Sequence, residues 1–420
     1  MISHPVLDRL AGAGIRLGLS RMRDFLGTLD HPEQRYPVLH VGGTNGKGST
    51  CRLLDAMLGA SGQRVGVHTS PHLQVVNERI RVGAVPLSDA ELGAVIQRID
   101  TARLEWARRT LPSDEAFPLT YFEFTVACAF EAFARANVDI AVIEVGMGGR
   151  LDATNVVSPR ATAIVSIGLD HCEELGWDIA SIAGEKAGII KAGVPVVVGP
   201  LPGEALAIIR AVAAERAAPL HVWGHDFEAF GDVSSFRYAG GSTLDGLSLG
   251  LAGDHQVVNA GVALRVLEVT GLAVSPLAMR EGLAAARHAG RLEWLAPDLL
   301  ADGAHNPDGA TTLANFLARL PRDRRRTLVL GGGTDKDLRG VATTLAPVVD
   351  RIFTTAGSHA KARNPFDVAS QCEGLSVPVI PAGALADAVL AARRDGDLVI
   401  VAGSLYLIGE LRDLVGADPA

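Results

Sequence analysis

Two rhythms of apolar residues run along the chain. Short apolar runs stand at 38–41 (VLHV), 64–68 (RVGVH), 138–145 (VDIAVIEV), 161–167 (ATAIVSI) and 194–198 (VPVVV). Their length, and the turn residues that bound them, predict buried strands, 138–145 most clearly. Between them the spacing is helical. Cys51, Leu53, Leu54, Met57 and Leu58 form one stripe, and 88–109 another, opened by Ser88 and Glu91 as a capping box. Further helices are predicted at 119–137, from 179 onward and at 203–218. Residues 1–30 also read as helical, through Val6, Leu7, Leu10, Ile15, Leu17, Leu19, Met22, Phe25 and Leu26. Strand and helix in alternation imply a parallel sheet with helical crossovers.

The rhythm changes at 220–252. Runs at 220–223, 234–238 and 244–251 alternate with Gly-rich turns and suggest a small β-rich layer on the first domain. Helices at 254–267 and 276–287 follow. His288-Ala289-Gly290-Arg291 reads as a hinge, after which the alternation restarts. Strands are predicted at 299–302, 326–330, 351–354, 377–380 and 398–401, with a helix at 308–319. The expected fold is α/β: a doubly wound domain over 1–288, then a smaller Rossmann-like α/β domain over 289–420. No short-period repeat is present.

The chemistry gathers where predicted strands end. The run at 38–41 turns through Gly42, Gly43, Thr44, Asn45, Gly46, Lys47 and Gly48, then enters a helix with Ser49 and Thr50. Strand, Gly-rich turn and helix make a phosphate cradle, in which backbone amides and a helix N-terminus face an anion and Lys47 adds a full charge. The strict P-loop has a hydroxyl directly after its Lys. Here Gly48 follows Lys47, and the first hydroxyl is Ser49. A tight turn without a ligand is the plain alternative. Polar clusters also end other runs, at 69–72, 144–155, 170–173, 302–306 and 334–337. In open parallel sheets ligands lie at the carboxyl ends of strands, so a cleft between the two domains is the expected site.

Glu144 lies inside an apolar run, where an unpaired carboxylate would cost several kcal/mol. A magnesium ion meets that need, with Ser49 or Ser70 as a hydroxyl ligand and His171 as a nitrogen ligand. The alternative pairs Glu144 with Arg150 or Arg79 and makes His171 a helix cap. Asp302, His305 and Asn306 read equally as a turn with an Asx cap. His255 and Gln256 read as ordinary helix-start residues, Arg291 as a linker charge, and Cys172 as inert.

Composition narrows the classes. The chain has 420 residues, 48% hydrophobic and 20% charged, which is globular and too long for one ordinary core. A net charge of −8 argues against a nucleic-acid partner. The basic run 322–326 reads as a solvated turn. The four cysteines form no CxxC pair, which argues against a zinc site or disulfide framework and fits a reducing cytoplasm. No apolar stretch of about 18 residues occurs, so no membrane span is expected, and the N-terminus lacks a signal-peptide core.

Twelve motifs in order resemble the folylpolyglutamate synthase/dihydrofolate synthase family of the Mur ligase superfamily. They are HVGGTNGKGST (40–50), TSPHL (69–73), NERIRV (77–82), LTYFEFT (119–125), EVGMGGRLDATN (144–155), IGLDH (167–171), GEKAGIIK (184–191), DHQVVNA (254–260), GRLEW (290–294), DGAHNPDG (302–309), DKD (335–337) and AGSLYLIGE (402–410). The family's GKGS turn accounts for Gly48. Met147 stands where the family often has Leu. Residues 357–365 (GSHAKARNP) match less closely a place where the family has a compact Arg-containing motif.

The resemblance implies a Mur-ligase-like fold and an ATP-dependent amide ligase. By similarity, Gly43, Thr44, Asn45, Gly46, Lys47, Gly48, Ser49 and Thr50 cradle ATP. Gln256 and Asn259 lie near its adenine, and Arg291 and Asp302 near phosphates and ribose. Ser70 and Glu144 hold one Mg²⁺. Glu144, His171 and Lys186 hold a second, with Lys186 as a carbamate. K⁺ is a further candidate ion. Arg79, Thr120, Phe122 and Asp152 line the pterin side, and His305 meets glutamate. The implied catalytic set is Lys47, Glu144, His171, Lys186 and His305. The implied partners are dihydropteroate or a reduced folate and L-glutamate, with the enzyme a cytoplasmic monomer. YFE at 121–123 and the chain length look like the bacterial forms, which are often bifunctional. A peptidoglycan-precursor ligase would place a UDP-sugar domain before the P-loop, where only residues 1–37 stand. A P-loop ATPase without ligation would turn over ATP independently of glutamate.

Overall fold

The apolar runs pair into two separate parallel sheets. The structure is a computed structural model that describes residues 4–110, 118–358 and 361–419. The chain forms two compact units. The first holds Met1–Pro71, Val76–Gly250 and Gln256–Ala286, and the second His72–Val75, Leu251–His255 and Arg287–Ala420.

The first unit is built on an eight-stranded sheet. Its strands are β1 (Val38–Gly42), β2 (Val65–His68), β3 (Ile80–Val82), β4 (Val85–Pro86), β5 (Ile140–Glu144), β6 (Ala161–Ile164), β7 (Val196–Val198) and β8 (Leu220–Val222). The order is β4-β3-β2-β5-β1-β6-β7-β8, with β3 antiparallel to both its neighbours and every other pair parallel. Strand β1 therefore lies between β5 and β6, with Val41 beside Glu144 on one side and Ala163 on the other. The central strands are buried throughout, which is why they read as unbroken apolar runs rather than alternating ones.

Helices cover both faces. On one, α1 (Pro5–Leu10), α2 (Ser20–Gly27), α4 (Asp89–Thr110) and α5 (Tyr121–Ala136) share a core with Val38, Ala141 and Ile143. On the same face, toward β6 and β7, α7 (Ile179–Ala187) and α8 (Gly203–Glu215) pack on Ile164, Val196 and Val198 after a single helical turn, α6 (Cys172–Leu175), while α3 (Lys47–Ala60) covers β1, β2 and β5 on the other face. Local chemistry starts these helices where expected. Ser88 and Glu91 exchange side-chain and backbone bonds at the start of α4. Thr120 and Glu123 form a second capping box at α5.

Three expectations change. The helical reading of 1–30 fails over 14–19, and residues 1–3 lie outside the described residues. Gly14 (φ 64°) and Gly18 (φ 138°) break the helix, leaving Ile15 and Leu17 exposed at 61% and 48%. The run at 220–223 is not in the β-rich layer, because β8 pairs in parallel with β7 at the edge of the main sheet. The layer is instead a three-stranded antiparallel sheet of β9 (Glu228–Asp232), β10 (Ser235–Ala239) and β11 (Thr243–Leu247). Strand β9 (EAFGD) was missed because it carries only two apolar side chains, Ala229 and Phe230, and is exposed at three of its five positions.

After β11 come α9 (His255–Thr270) and α10 (Pro276–Ala285). The second unit is a six-stranded sheet, ordered β12-β13-β17-β14-β15-β16. Its strands are β12 (Glu293–Ala296), β13 (Leu299–Ala301), β14 (Arg326–Leu330), β15 (Arg351–Ala356), β16 (Val379–Ala384) and β17 (Leu398–Ala402). Only β12 is antiparallel. The helices are α11 (Pro307–Arg319), α12 (Leu338–Leu345), α13 (Pro365–Gln371), α14 (Leu385–Arg394) and α15 (Leu405–Leu414). The basic run is not simply solvated. Arg326 is 1% exposed, and it donates to the carbonyls of Leu320, Pro321 and Val348.

Helix α10 packs on α3 through a glycine. A Cβ on Gly282 would stand 2.5 Å from Met57 Cα and 2.6 Å from Ala56 O. Gly282→Val should therefore destabilise the chain by roughly 1–3 kcal/mol, the usual cost of overpacking. Gly59→Ala, on the same helix α3 with nothing within 4 Å of its Cβ position, should stabilise it by about 0.4–1 kcal/mol. Urea unfolding of both variants checks the pair.

Candidate active site at the strand ends

The turn after β1 is held shut by its neighbours. Gly43 has φ +145°, and its Cβ position is 3.1 Å from Ser166 N and 3.2 Å from Ser166 O. Gly46 has φ +84°, with Asn259 Oδ1 2.6 Å from its Cβ position. A side chain at either would meet both strain and collision. The Thr44 amide donates to Ser166 O (2.9 Å). Thr44 Oγ donates to Gly168 O (3.1 Å) and accepts from the Gly168 amide (3.0 Å). The Asn45 amide donates to Ser166 Oγ, which donates to Asn45 O, both at 2.9 Å. The cradle is thus laced to the segment that follows β6.

Two lysines converge on it. Lys47 opens α3, and its Nζ donates to Gly43 O (3.0 Å) and Thr44 O (2.9 Å). Lys186, in the last turn of α7, donates from Nζ to the same Gly43 carbonyl (2.9 Å). Burial, reinforced by the nearby Lys47 charge, brings Lys186 down to about 7. Close glycine packing lets α7 reach this far. The Cβ position of Gly149 is 2.9 Å from Glu185 O, and that of Gly188 is 2.2 Å from Arg150 Cβ.

The other expected cradle and metal residues gather nearby. Gln256 Nε2 donates to Ser49 Oγ (3.2 Å), and Asn259 Nδ2 donates to Gln256 Oε1 (2.8 Å). Thr50 is fully buried. Glu144 ends β5, buried, and accepts the Ser70 amide at 2.9 Å. The Ser70–Pro71 peptide is cis. Arg150 makes its ion pair with Glu185 (2.7 Å), and Arg79 lies over the Tyr121 ring at 5.4 Å. His171 takes a left-handed conformation (φ 51°) before the short helix α6 and makes no side-chain cap bond.

Among the described residues no group of three or more His, Cys, Asp and Glu forms a metal cluster. The expected set contains only two such residues, Glu144 and His171. Its chemistry still fits a hard divalent cation. A buried carboxylate is joined to Ser70, and Lys186 is partly neutral near pH 7, the form that adds CO₂. A carbamate nitrogen keeps one N–H, so the bond to Gly43 O would survive.

A second cluster lies on the α5 side of the sheet. The Phe122 ring covers Gly146, whose Cβ position is 2.3 Å from Phe122 Cζ, and stands 6.1 Å from the His68 ring. Asp152 accepts from the amides of Met147 and Thr154, both at 2.9 Å. Burial raises its pKa, against these bonds. Thr120 serves as the N-cap of α5. Two strand histidines complete the cluster. Burial holds His40 and His68 down to about 3, with Lys191 adding to the effect at His40 and Arg79 at His68.

In the second unit Asp302 follows β13. It accepts from the amides of Leu292 and Ala304, both at 2.8 Å. Burial raises its pKa, and Arg291 works against that rise. Arg291 Nη1 is 3.1 Å from the Cβ position of Gly303. His305 Nδ1 is 2.8 Å from Gly303 O, a contact in which only the nitrogen can donate. Asn306 caps α11 at the Gly309 amide (2.8 Å), so the Asx-cap reading holds for that residue. Burial, with the Arg291 charge, lowers His255 to about 4. Of the segment 357–365, Arg363 donates to Gln371 Oε1 (2.6 Å) and to Thr334 O (2.5 Å). Residues 359–360 lie outside the described residues.

The chain as a whole matches known proteins closely. The Mur ligase middle domain matches residues 41–267, and the Mur ligase glutamate ligase domain matches 290–405. The dihydrofolate synthase/folylpolyglutamate synthase of Bacillus subtilis is 35% identical over 415 residues, 95% of each chain. The chain belongs to this family of Mur ligases. Its fold also matches the structure of E. coli FolC in complex with DHPP and ADP, with a TM-score of 0.89, 33% identity and coverage of 98% and 97% of the two chains. A bifunctional folylpolyglutamate synthase/dihydrofolate synthase with Mn, AMPPNP and L-glutamate bound matches with a TM-score of 0.87, 34% identity and the same coverage.

Sequence reasoning missed several members of these clusters in this family fold. Ser166 and Gly168 lace the cradle, but sit in a run that reads only as a strand end. His40, His68 and Thr154 were passed over, although a histidine inside an apolar strand was itself a signal. His40 must stay neutral in the native state, whereas the unfolded chain takes up a proton near pH 6.5. Its contribution to stability is therefore present above that pH and lost as pH falls toward 3. The loss of stability between pH 7 and 4.5 should be smaller in His40→Leu than in wild type, by as much as about 2 kcal/mol. Urea unfolding at the two pH values measures it.

Proposed function

We propose that this chain is an ATP-dependent ligase that joins L-glutamate to dihydropteroate, to a reduced folate, or to both. The observation that carries the reading is the meeting of Lys47 and Lys186 at the Gly43 carbonyl, inside a turn of glycines and amides at the end of a central strand. A cradle of amides carrying the Lys47 charge suits a nucleoside triphosphate rather than a neutral ligand, and a buried lysine held near neutrality beside it is the form that takes up CO₂. Family membership supplies the substrate class.

In this reading Gly43–Thr50 of the turn and helix start hold the phosphates, and Lys47 leaves its two carbonyls to meet them. The substrate carboxylate attacks the γ-phosphorus, ADP departs, and an acyl phosphate forms. Positioning and electrostatics supply most of such catalysis. Magnesium, when bound, offsets charge on the phosphates, and we assign Ser70, Glu144, His171 and carbamylated Lys186 as the residues that would hold it. Phe122, Arg79, Thr120 and Asp152 take the pterin. Gln256, Asn259, Arg291 and Asp302 serve the nucleotide, and His305 serves glutamate. The glutamate amine then attacks the acyl carbon, phosphate leaves, and the amine proton is released. No enzyme nucleophile takes part.

The reading includes a monomer working in the cytoplasm, with K⁺ as a further ion. The cysteines are free thiols, which fits a reducing compartment. Among the described residues no helix is long and apolar enough to cross a membrane.

Phosphate release from ATP should require both a pterin substrate and glutamate, with the product heavier by one glutamate residue on mass analysis. Full-rate hydrolysis without glutamate would sink the ligase and favour a simple ATPase. Lys47→Ala should lower kcat/KM about a thousandfold or more, as loss of a phosphate-contacting charge does. Lys186→Ala should be crippled and partly restored by short carboxylic acids, and ¹³CO₂ should give a carbamate signal in wild type only. A fully active Lys186→Ala enzyme would exclude the carbamate.

A further inference from the structure

We infer that His40 and Thr154 form a buried brace that fixes the Asp152 carboxylate, filling Oδ1 so that Oδ2 is the oxygen left to meet the substrate's flat heterocycle. The inference rests on the ligase reading above and names positioning residues for its pterin side. Asp152 Oδ1 takes both bonds from Thr154, the amide at 2.9 Å and the hydroxyl. Asp152 Oδ2 takes the Met147 amide at 2.9 Å. A carboxylate offers about two lone-pair sites on each oxygen. Oδ1 is thereby full, whereas Oδ2 holds the Met147 amide as its one well-formed bond, with the Gly146 amide also facing the carboxylate.

The direction of the brace follows from donor counting. An ionised Asp152 can only accept, so the Thr154 hydroxyl spends its single proton on Oδ1. The same hydroxyl lies 2.9 Å from His40 Nε2 and must accept there. His40 is therefore the Nε2–H tautomer, and its Nδ1 is a bare acceptor. That nitrogen is buried without a hydrogen-bond partner among the described residues, a cost the fold retains. Thr154 and His40 are both fully buried, and Asp152 is 5% exposed. Burial keeps His40 neutral, which leaves the tautomer constant across physiological pH.

The setting explains why one oxygen must be held. The Met147 amide on Oδ2 follows Gly146, the residue covered by the Phe122 ring. An aromatic face with a carboxylate oxygen beside it recognises a planar ring that carries N–H donors. Rotation of the carboxylate would release the Met147 amide and turn the acceptor away. A single threonine methyl group, in place of the hydroxyl, would leave shape and lose direction.

The test compares Thr154→Val, Thr154→Ser and His40→Leu in steady-state kinetics. Thr154→Val should raise KM for the pterin substrate about tenfold, the worth of one buried hydrogen bond. Its KM for ATP and its kcat should stay within about twofold. Thr154→Ser should return the pterin KM to near wild type, and His40→Leu should raise it less than Thr154→Val. Nitrogen-15 NMR of the histidine rings should show His40 as Nε2–H with no titration between pH 5 and 9, and Thr154→Val should move its Nε2 signal. Equal rises in both KM values, no rescue by serine, or an Nδ1–H tautomer would overturn the brace. Wild-type enzyme that shows the NMR signature but no pterin-dependent turnover would instead overturn the ligase reading, and with it the substrate assigned to Oδ2.

Discussion

The carbonyl of Gly43 is where the first unit is tied together. It accepts from Lys47 on α3 and from Lys186 on α7. Two ammonium groups on one oxygen repel each other, and burial at Lys186 adds a desolvation cost. The outcome is unequal. Lys186 falls to about 7, while Lys47 keeps a second carbonyl, that of Thr44. A polyanion placed at the turn would draw Lys47 off the shared oxygen and relieve the repulsion. The geometry that allows this depends on glycine at several points. Gly43 and Gly46 take backbone angles that a side chain would resist, and Gly149 and Gly188 let α7 approach the loop after β5.

Side chains at the strand ends face both sides of the sheet. Glu144 is the last residue of β5 and takes the Ser70 amide. Alternate residues of the same strand, Ala141 and Ile143, belong to the core shared with α5, so Glu144 points to the opposite face, where α3 lies. The α5 side carries the flat aromatic and carboxylate chemistry of Phe122 and Asp152. In the function we propose, phosphate chemistry and heterocycle binding would be served by neighbouring strand ends. The second unit repeats the principle with Asp302, whose carboxylate is spent on two backbone amides and so shapes the loop that carries His305. Asp302 thereby braces the backbone beside Arg291 and before His305.

Much of this was legible in the residues alone. Unbroken apolar runs located the central strands because a parallel sheet covered on both faces leaves its strands no polar side. Caps were legible because they depend on residues three positions apart, as Ser88 with Glu91 and Asn306 with Gly309 show. Where burial is one-sided or local turns intervene, the signal failed. Strand β9 is largely exposed and carries no apolar run. The stretch 14–19 has helical apolar spacing, but Gly14 and Gly18 make it a loop.

By itself the sequence determined the two α/β units, the order of the motifs and the identity of the cradle, because each of these is written in contiguous residues. Tertiary structure alone decided which distant groups share an atom. Lys186 reaches Gly43 O across 143 positions, Gln256 reaches Ser49 across 207, and His40 reaches Thr154 across 114. No spacing rule links such residues. They meet because β1 is inserted between β5 and β6, and because glycines let helices come close enough for side chains to bridge the gap. The same packing sets protonation, since burial rather than residue type holds Lys186 near neutrality and keeps His40 uncharged.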